Sequence, residues 1–195
     1  MDRLIIGITG ASGAIYGIRA LQAVRAAGGI ETHLVLSSAA KQTIVAETDF
    51  STSDVAALAD VVHNEKDIGA SLSSGSFRTR GMLIAPCSVK TMGGLANSYD
   101  DTLVVRAADV CLKERRRVVL LLRETPLHAG HIEMMARVTQ AGAIVMPPVP
   151  AFYHRPEGID DIVDQTVGRA LDLFDIEAGI VKRWKDDSSG RPRGS

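Results

Sequence analysis

A chain of 195 residues, 46% of them hydrophobic, is long enough to close one good core and too short to be expected to close two, so a single domain is expected. The 22 basic and 23 acidic side chains leave a net charge of −1, which gives no overall pull towards a nucleic-acid backbone or an anionic membrane surface. Cys87 and Cys111 form no CxxC pair, MDRLIIGITG lacks the layout of a signal peptide, and no apolar run approaches the roughly 20 residues of a membrane span, so a reduced, cytoplasmic enzyme is expected.

Apolar runs of strand length alternate with stretches of helical spacing, the pattern of a doubly wound, mostly parallel α/β sheet of Rossmann-like type. The first strand is predicted from Leu4 to Thr9, and Thr9-Gly10-Ala11-Ser12-Gly13 follows it. A helix then places Tyr16, Ile18, Leu21, Ala23, Val24 and Ala27 on one face and ends at Gly28-Gly29. Small residues in such a turn let backbone N–H groups approach an anion, and the helix N-terminus adds partial positive charge, so a phosphate is the natural occupant. The same glycines also permit close packing of strand on helix. The second strand, Thr32 to Ser37, runs into Ser37-Ser38-Ala39-Ala40, where a dinucleotide fold would carry an acidic residue for the adenosine ribose; Glu31 lies at the wrong end. Hydroxyls there, and the lack of a full GxGxxG, suit a mononucleotide such as flavin mononucleotide (FMN) better than a nicotinamide dinucleotide.

Residues 63–81, HNEKDIGASLSSGSFRTRG, form a polar connection of a length that is usually functional, and its expected place is beside the site. The third strand, Met82 to Ala85, leads into Pro86-Cys87-Ser88-Val89-Lys90-Thr91-Met92-Gly93-Gly94, a further turn of small and hydroxyl residues. In an open α/β sheet such turns converge at the carboxyl ends of the strands. Cys87 has no evident His partner and reads as a packing residue rather than a nucleophile. Arg115 to Arg117 read as a solvated face. The fourth strand, Val118 to Leu122, emerges at Arg123-Glu124, where a guanidinium can grip a phosphate with two hydrogen bonds and a carboxylate can move a proton. After a fifth strand, Ala143 to Met146, the prolines of PPVPAFYHRP predict a stiff strap over residues 147–156. A last helix carries Ile159, Ile162, Val163, Val167, Ala170, Leu171 and Phe174 on its apolar face, with Asp160, Asp161 and Asp164 early in it. Residues 1–184 form the expected domain, and the polar segment 185–195 is expected to be disordered. His33, His63, His128, His131 and His154 lack ligand spacing, so no metal is expected.

TGASGA, PCS, RAADVCLKE, the RETPL segment and AFYHRP, in this order, closely resemble the UbiX-type flavin prenyltransferases, including members encoded beside hydroxyaryl acid decarboxylases. The resemblance runs from about Leu4 to Trp184. It implies a flavoprotein in which Gly10, Ala11, Ser12, Ser37, Ser88, Val89, Lys90, Thr91 and Arg123 surround FMN. It implies that Lys113, Arg123, Tyr153 and Arg169 hold the phosphate of dimethylallyl phosphate, with Ser74, Gly75 and Ser76 close by. Glu124 would be the acid/base, Ser12 and Glu47 further proton-relay groups, and Trp184 an aromatic near the prenyl chain. Lys90 stands where other members vary, and His131-Ile132-Glu133-Met134-Met135 departs from the usual pattern, so neither His131 nor Met134 receives a role.

Rupture of an allylic C–O bond leaves a phosphate dianion and an electron-poor fragment, which calls for fixed cations on one side and aromatic faces on the other. No DDxxD run for a magnesium-bound diphosphate is present, which favours a monophosphate and no metal. The resemblance also implies a dodecamer with sites between subunits, and a prenylated-FMN-dependent decarboxylase as functional partner. Bland readings exist for three residues: Tyr153 as a plug at the sheet edge, Trp184 as a tail anchor, Arg169 as a solvated helix residue. Two other functions remain open, an FMN-binding accessory subunit of an aromatic acid decarboxylase and a flavin-dependent cysteine decarboxylase; the early His and Asn-rich motif of the latter are not clearly present.

Overall fold

The computed structural model describes residues 2–184. The chain runs β1 (Asp2–Ile8), α1 (Ala14–Ala27), β2 (Ile30–Leu36), α2 (Ser38–Glu47), α3 (Thr52–Ala57), β3 (Val61–His63), a 3-10 turn (Ser71–Ser73) and β4 (Gly81–Cys87). It continues through α4 (Val89–Ala96), α5 (Leu103–Lys113), β5 (Arg117–Leu122), α6 (Ala129–Gln140), β6 (Ile144–Val145) and α7 (Ile159–Asp172). All pairings are parallel, in the order β3-β2-β1-β4-β5-β6, the Rossmann order.

Strand alternation divides the core into two layers. Leu4, Ile6 and Ile8 of β1, with Leu83, Ala85, Val119 and Leu121, face a cluster closed by Ile18, Leu21 and Val24 of α1, Ile44 of α2, Val55 of α3 and Val163, Val167 and Leu171 of α7. Ile5, Val35, Met82, Ile84, Val118 and Leu120 face the opposite cluster, closed by Leu72, Met92, Leu95, Val104, Ala108, Cys111 and Val138. Strands buried on both faces read as continuous apolar runs, which is why RLIIGI, MLIA and VVLLL stand out in the sequence.

The observed strands differ from expectation at their ends. β1 and β2 each begin two residues earlier, β4 extends to Cys87, and β6 shrinks to Ile144–Val145. A sixth strand, β3, was not anticipated; it is an edge strand of three residues whose Val61 and Val62 are 36% and 49% exposed. The segment 185–195 lies outside the described residues.

One close approach sets how α1 sits on the sheet. A Cβ at Gly17 would lie 2.3 Å from the Ala85 carbonyl oxygen and 2.6 Å from Ile8 Cγ1, so the helix backbone rests directly on β4 and β1. Arg19 of α1 pairs with Asp160 (3.2 Å) and Asp164 (3.3 Å), which fixes α7 alongside. Gly17→Ala is expected to lower stability by about 1–3 kcal/mol, the usual cost of forcing atoms into a closed contact. A denaturant titration checks this, and an unchanged midpoint would contradict the packing described.

Candidate active site

Backbone hydrogen bonds tie four strand ends into one rim. Ser37 N–H donates to Ile8 O (3.0 Å), joining the end of β2 to that of β1, and Arg123 N–H donates to Cys87 O (3.0 Å), joining β5 to β4. Thr9 makes the central connection. Its N–H and Oγ1–H both donate to Pro86 O, at 3.2 and 2.7 Å, and its Oγ1 accepts from Ser88 N–H at 2.8 Å. Thr9 is 1% exposed, so this knot is dry, and the turns after β1, β4 and β5 have fixed relative positions.

Along that rim the hydroxyl residues begin helices. Ser37 is the N-cap of α2, its Oγ accepting from Ala40 N–H at 3.0 Å, and Ser88 caps α4, its Oγ accepting from Thr91 N–H at 3.3 Å. Each cap uses an oxygen lone pair, while the first-turn N–H groups, including those of Val89 and Lys90, belong to the set that a helix leaves without intrahelical partners. An anion placed here meets N–H and O–H donors together. Gly10 lies against Ala39, and Gly13, with φ +100°, lets the chain turn from the rim into α1. Ala11 and Ser12 sit between them. Gly13 N–H donates to Glu47 Oε2 at 2.7 Å, so a carboxylate already sits at the α1 N-terminus, beside Ser12. The contact shows one backbone N–H of the turn donating to a carboxylate oxygen, the kind of donor that a phosphate oxygen also takes.

Arg123 and Glu124 follow β5 onto the same rim, both exposed. Glu124 Oε1 accepts from Thr125 N–H at 3.0 Å. Tyr16, in the first turn of α1, is close enough for electrostatic coupling to Arg123: burial pushes its phenol up, and the guanidinium offsets part of that rise. Lys90 points away, its Nζ 3.0 Å from Asp101 Oδ2.

The remaining expected residues lie elsewhere in the chain. Lys113 ends α5, which runs back from the end of β4 towards the start of β5, so Lys113 belongs to the opposite, N-terminal rim. Crossing β5 alone, at about 3.3 Å per residue, separates it from Arg123 by roughly 20 Å. Ser74, Gly75 and Ser76 accompany Lys113 there, so this part of the connection 63–81 is not beside Arg123 and Glu124 of its own chain, whereas Glu65 O, near its beginning, accepts from Leu103 N–H at the start of α5. Tyr153 is held by Gln165 of α7, whose Nε2 donates to the phenol oxygen at 2.6 Å, and its ring meets Trp184 edge-on at 5.4 Å. Arg169 is not simply solvated. It pairs with Asp172 at 2.5 Å, and Arg183 bonds the same carboxylate at 2.9 and 3.1 Å. Burial pushes Asp172 up, yet the bonds from Arg183 and Arg169 outweigh it and hold the carboxyl below its ordinary value.

The expectation of a solvated Arg115–Arg117 run fails at Arg116, whose side chain is 16% exposed and donates to the carbonyls of Gly75 and Phe77. Thr9 and Tyr16 were visible in the sequence only as members of a turn and of a helix face. Position directly before a Gly-rich turn, with a hydroxyl able to reach a neighbouring strand end, is the signal that could have singled out Thr9. Among the described residues no three His, Cys, Asp or Glu side chains gather as metal ligands, and no helix is long and apolar enough to cross a membrane.

Comparison with known proteins adds a family. A family model described as Flavoprotein matches residues 1–183. The chain is 59% identical over 187 residues to the flavin prenyltransferase UbiX of Escherichia coli strain K12, covering 95% of this chain and 99% of that protein. The crystal structure of AnUbiX in complex with FMN and dimethylallyl pyrophosphate matches with a TM-score of 0.93 and 52% identity, over 94% of this chain and 97% of that one. A dodecameric FMN-dependent UbiX-like decarboxylase from Escherichia coli O157:H7 matches with a TM-score of 0.92 and 52% identity, over 94% and 99%.

Neither cysteine is placed for nucleophilic work. Burial pushes the Cys87 thiol up to about 12 and the Cys111 thiol up to about 11 from an ordinary 9.0. Raised folded-state values mean that the thiols add stability in full below about pH 9 and that this is lost as pH climbs through 11 and 12. A thiol reagent at about pH 8 should leave the native protein unlabelled and modify both cysteines only after unfolding. Rapid labelling of native protein would contradict the burial.

Proposed function

Because the chain belongs to the flavoprotein family and, within it, to the UbiX-type flavin prenyltransferases, we propose that its C-terminal rim binds reduced FMN and joins to it the dimethylallyl group of dimethylallyl phosphate. The observation that carries this reading is the Thr9 knot, which holds the Gly10–Gly13 turn, the Ser88 cap and the Arg123-Glu124 step on one dry frame. Gly10, Ala11, Ser12, Ser37, Ser88, Val89, Lys90, Thr91 and Arg123 bind the flavin. Lys90 serves through its backbone, since its ammonium is engaged with Asp101.

When bound, reduced FMN supplies the electron-rich N5 and C6 to which the dimethylallyl carbons become attached. The chain's own residues do the rest. Cations must stabilise the departing phosphate, and fixed donors do so without reorganising at the moment of reaction. Arg123 supplies one from the flavin rim, and Lys113, Arg169, Tyr153, Ser74, Gly75 and Ser76 complete the phosphate site. Because Lys113 and the Ser74–Ser76 loop occupy the opposite rim of their own chain, they serve a site on a neighbouring subunit. A dodecameric assembly, as in the UbiX-like decarboxylase from Escherichia coli O157:H7, supports that arrangement. Trp184, packed edge-on to Tyr153, offers an aromatic face to the prenyl chain. Glu124, with Ser12 and the Glu47 carboxylate on Gly13 N–H as a relay, would deliver a proton to the alkene carbon as its π bond opens towards the flavin and take up the proton lost from flavin C6, while the allylic oxygen leaves with the phosphate. The prenylated flavin then passes to a decarboxylase that uses it.

Anaerobic incubation of the protein with reduced FMN and dimethylallyl phosphate should raise the mass of the flavin by one prenyl group. An unchanged mass with flavin bound would instead support a carrier subunit. Glu124→Gln should slow turnover by about two to four powers of ten while FMN remains bound. A variant with undiminished rate would remove Glu124 from the role given to it.

A further inference from the structure

At the N-terminal rim, a guanidinium makes two main-chain bonds that the reaction as described does not use. Arg116 Nη1 donates to Phe77 O at 2.6 Å and Nη2 to Gly75 O at 2.5 Å. Arg106 holds a further carbonyl two residues before Gly75, Ser73 O, at 3.3 Å. In the same segment, the exposed Ser74 and Ser76 hydroxyls, on either side of Gly75, stand 2.8 Å apart. The loop therefore turns the Gly75 and Phe77 carbonyls towards Arg116 and leaves the Ser74 and Ser76 hydroxyls exposed.

Glu114 closes the arrangement from the other side. Its Oε1 accepts from Lys113 Nζ at 2.7 Å, and its Oε2 lies 4.0 Å from Arg116 Nη2. Gly75 is packed against this carboxylate so closely that a Cβ would lie 2.2 Å from Glu114 Oε1 and 3.0 Å from Lys113 Nζ. The bond from Lys113 holds the Glu114 carboxyl below its ordinary value, so it stays ionised.

We propose that Arg116, acting with Glu114, is the positioning residue of the substrate-phosphate site, setting the Ser74–Ser76 loop and the Lys113 ammonium for the phosphate of the prenyl donor. The inference rests on the reading that Lys113 and this loop hold that phosphate. Two physical effects support it. Carbonyl oxygens facing a phosphate dianion would repel it, and Arg116 both turns those of Gly75 and Phe77 away and neutralises them. Charge balance supplies the second effect. Lys113 and Glu114 alone form a neutral pair, whereas Arg116 restores one net positive charge beside the hydroxyls, which is what attracts an anion.

The test uses the assembled, FMN-loaded protein with dimethylallyl phosphate varied, comparing Arg116→Ala, Arg116→Lys, Gly75→Ala and Lys113→Ala. Arg116→Ala should raise KM for dimethylallyl phosphate about tenfold or more with kcat changed less than about threefold, since only substrate positioning is lost. Arg116→Lys, which keeps the charge but can hold one carbonyl well, should fall between that variant and the parent. Gly75→Ala displaces the Glu114 carboxylate while keeping the Arg116 side chain in the protein and should also raise KM; should Arg116→Ala fail to assemble, this variant and Arg116→Lys carry the test. Unaltered KM in the Arg116 and Gly75 variants, alongside a raised KM in Lys113→Ala, would overturn the inference alone. Loss of kcat and flavin together in the Arg116 variants would also overturn it, as a purely structural effect. An unaltered KM in Lys113→Ala would overturn the underlying assignment of the phosphate site.

Discussion

Six parallel strands leave all their carboxyl ends on one rim, and every helix that returns the chain must end at the other. That geometric constraint decides what a single copy of this molecule can assemble. Strand ends and helix N-termini share one edge, where N–H and O–H donors accumulate and an anion is welcome. The helices that lead directly back into a strand end at the opposite edge, where α5 delivers Lys113. The Thr9 knot ties the ends of β1 and β4 together, because Thr9 is itself buried and a broken bond to Pro86 O would leave a polar group unsatisfied.

The chemistry divides along the same line. In the proposed reaction, flavin binding and proton transfer would draw on the rim of Gly10, Ser37, Ser88, Arg123 and Glu124, and phosphate capture on the rim of Lys113 and the Ser74–Ser76 loop. Allyl transfer demands both at once, since the departing phosphate and the attacked carbon are parts of one small molecule. The proposed assembly would resolve the conflict by setting one subunit's far rim against another's near rim. Apolar side chains left outside the core agree with extensive burial between copies: Val149 is 74% exposed and Phe152 69%, both on the proline strap.

Much of this could be read from the amino acids, and what could not has identifiable causes. The phosphate-cradling turns were legible because strand-to-turn-to-helix patterns carry their own punctuation of Gly, Ser and Pro. Ser37 and Ser88 were legible as hydroxyls at strand ends, although their helix-capping bonds were not foreseen. β3 escaped because three half-exposed residues at a sheet edge have neither length nor apolar pattern. Arg116 escaped because charge runs are usually solvated, and its partners lie 39 and 41 positions away in a segment without periodicity. Arg169 was legible only by resemblance, and its bond to Asp172 shows how thoroughly a surface arginine can be committed within one chain. The division between rims was hidden in plain view: Lys113 and Arg123 are near in sequence, but the strand between them carries the chain from one edge to the other.

Subunit complementation tests the shared-site account most directly. Glu124→Gln and Lys113→Ala are each expected to be disabled when assembled alone; unfolded together and reassembled, mixed oligomers should contain interfaces at which an intact Glu124 rim meets an intact Lys113 rim. Prenylation by the mixture well above the sum of the two separate variants is the predicted result. A mixture no more active than that sum, with both variants assembled and flavin bound, would mean that each chain completes its own site and would contradict the account.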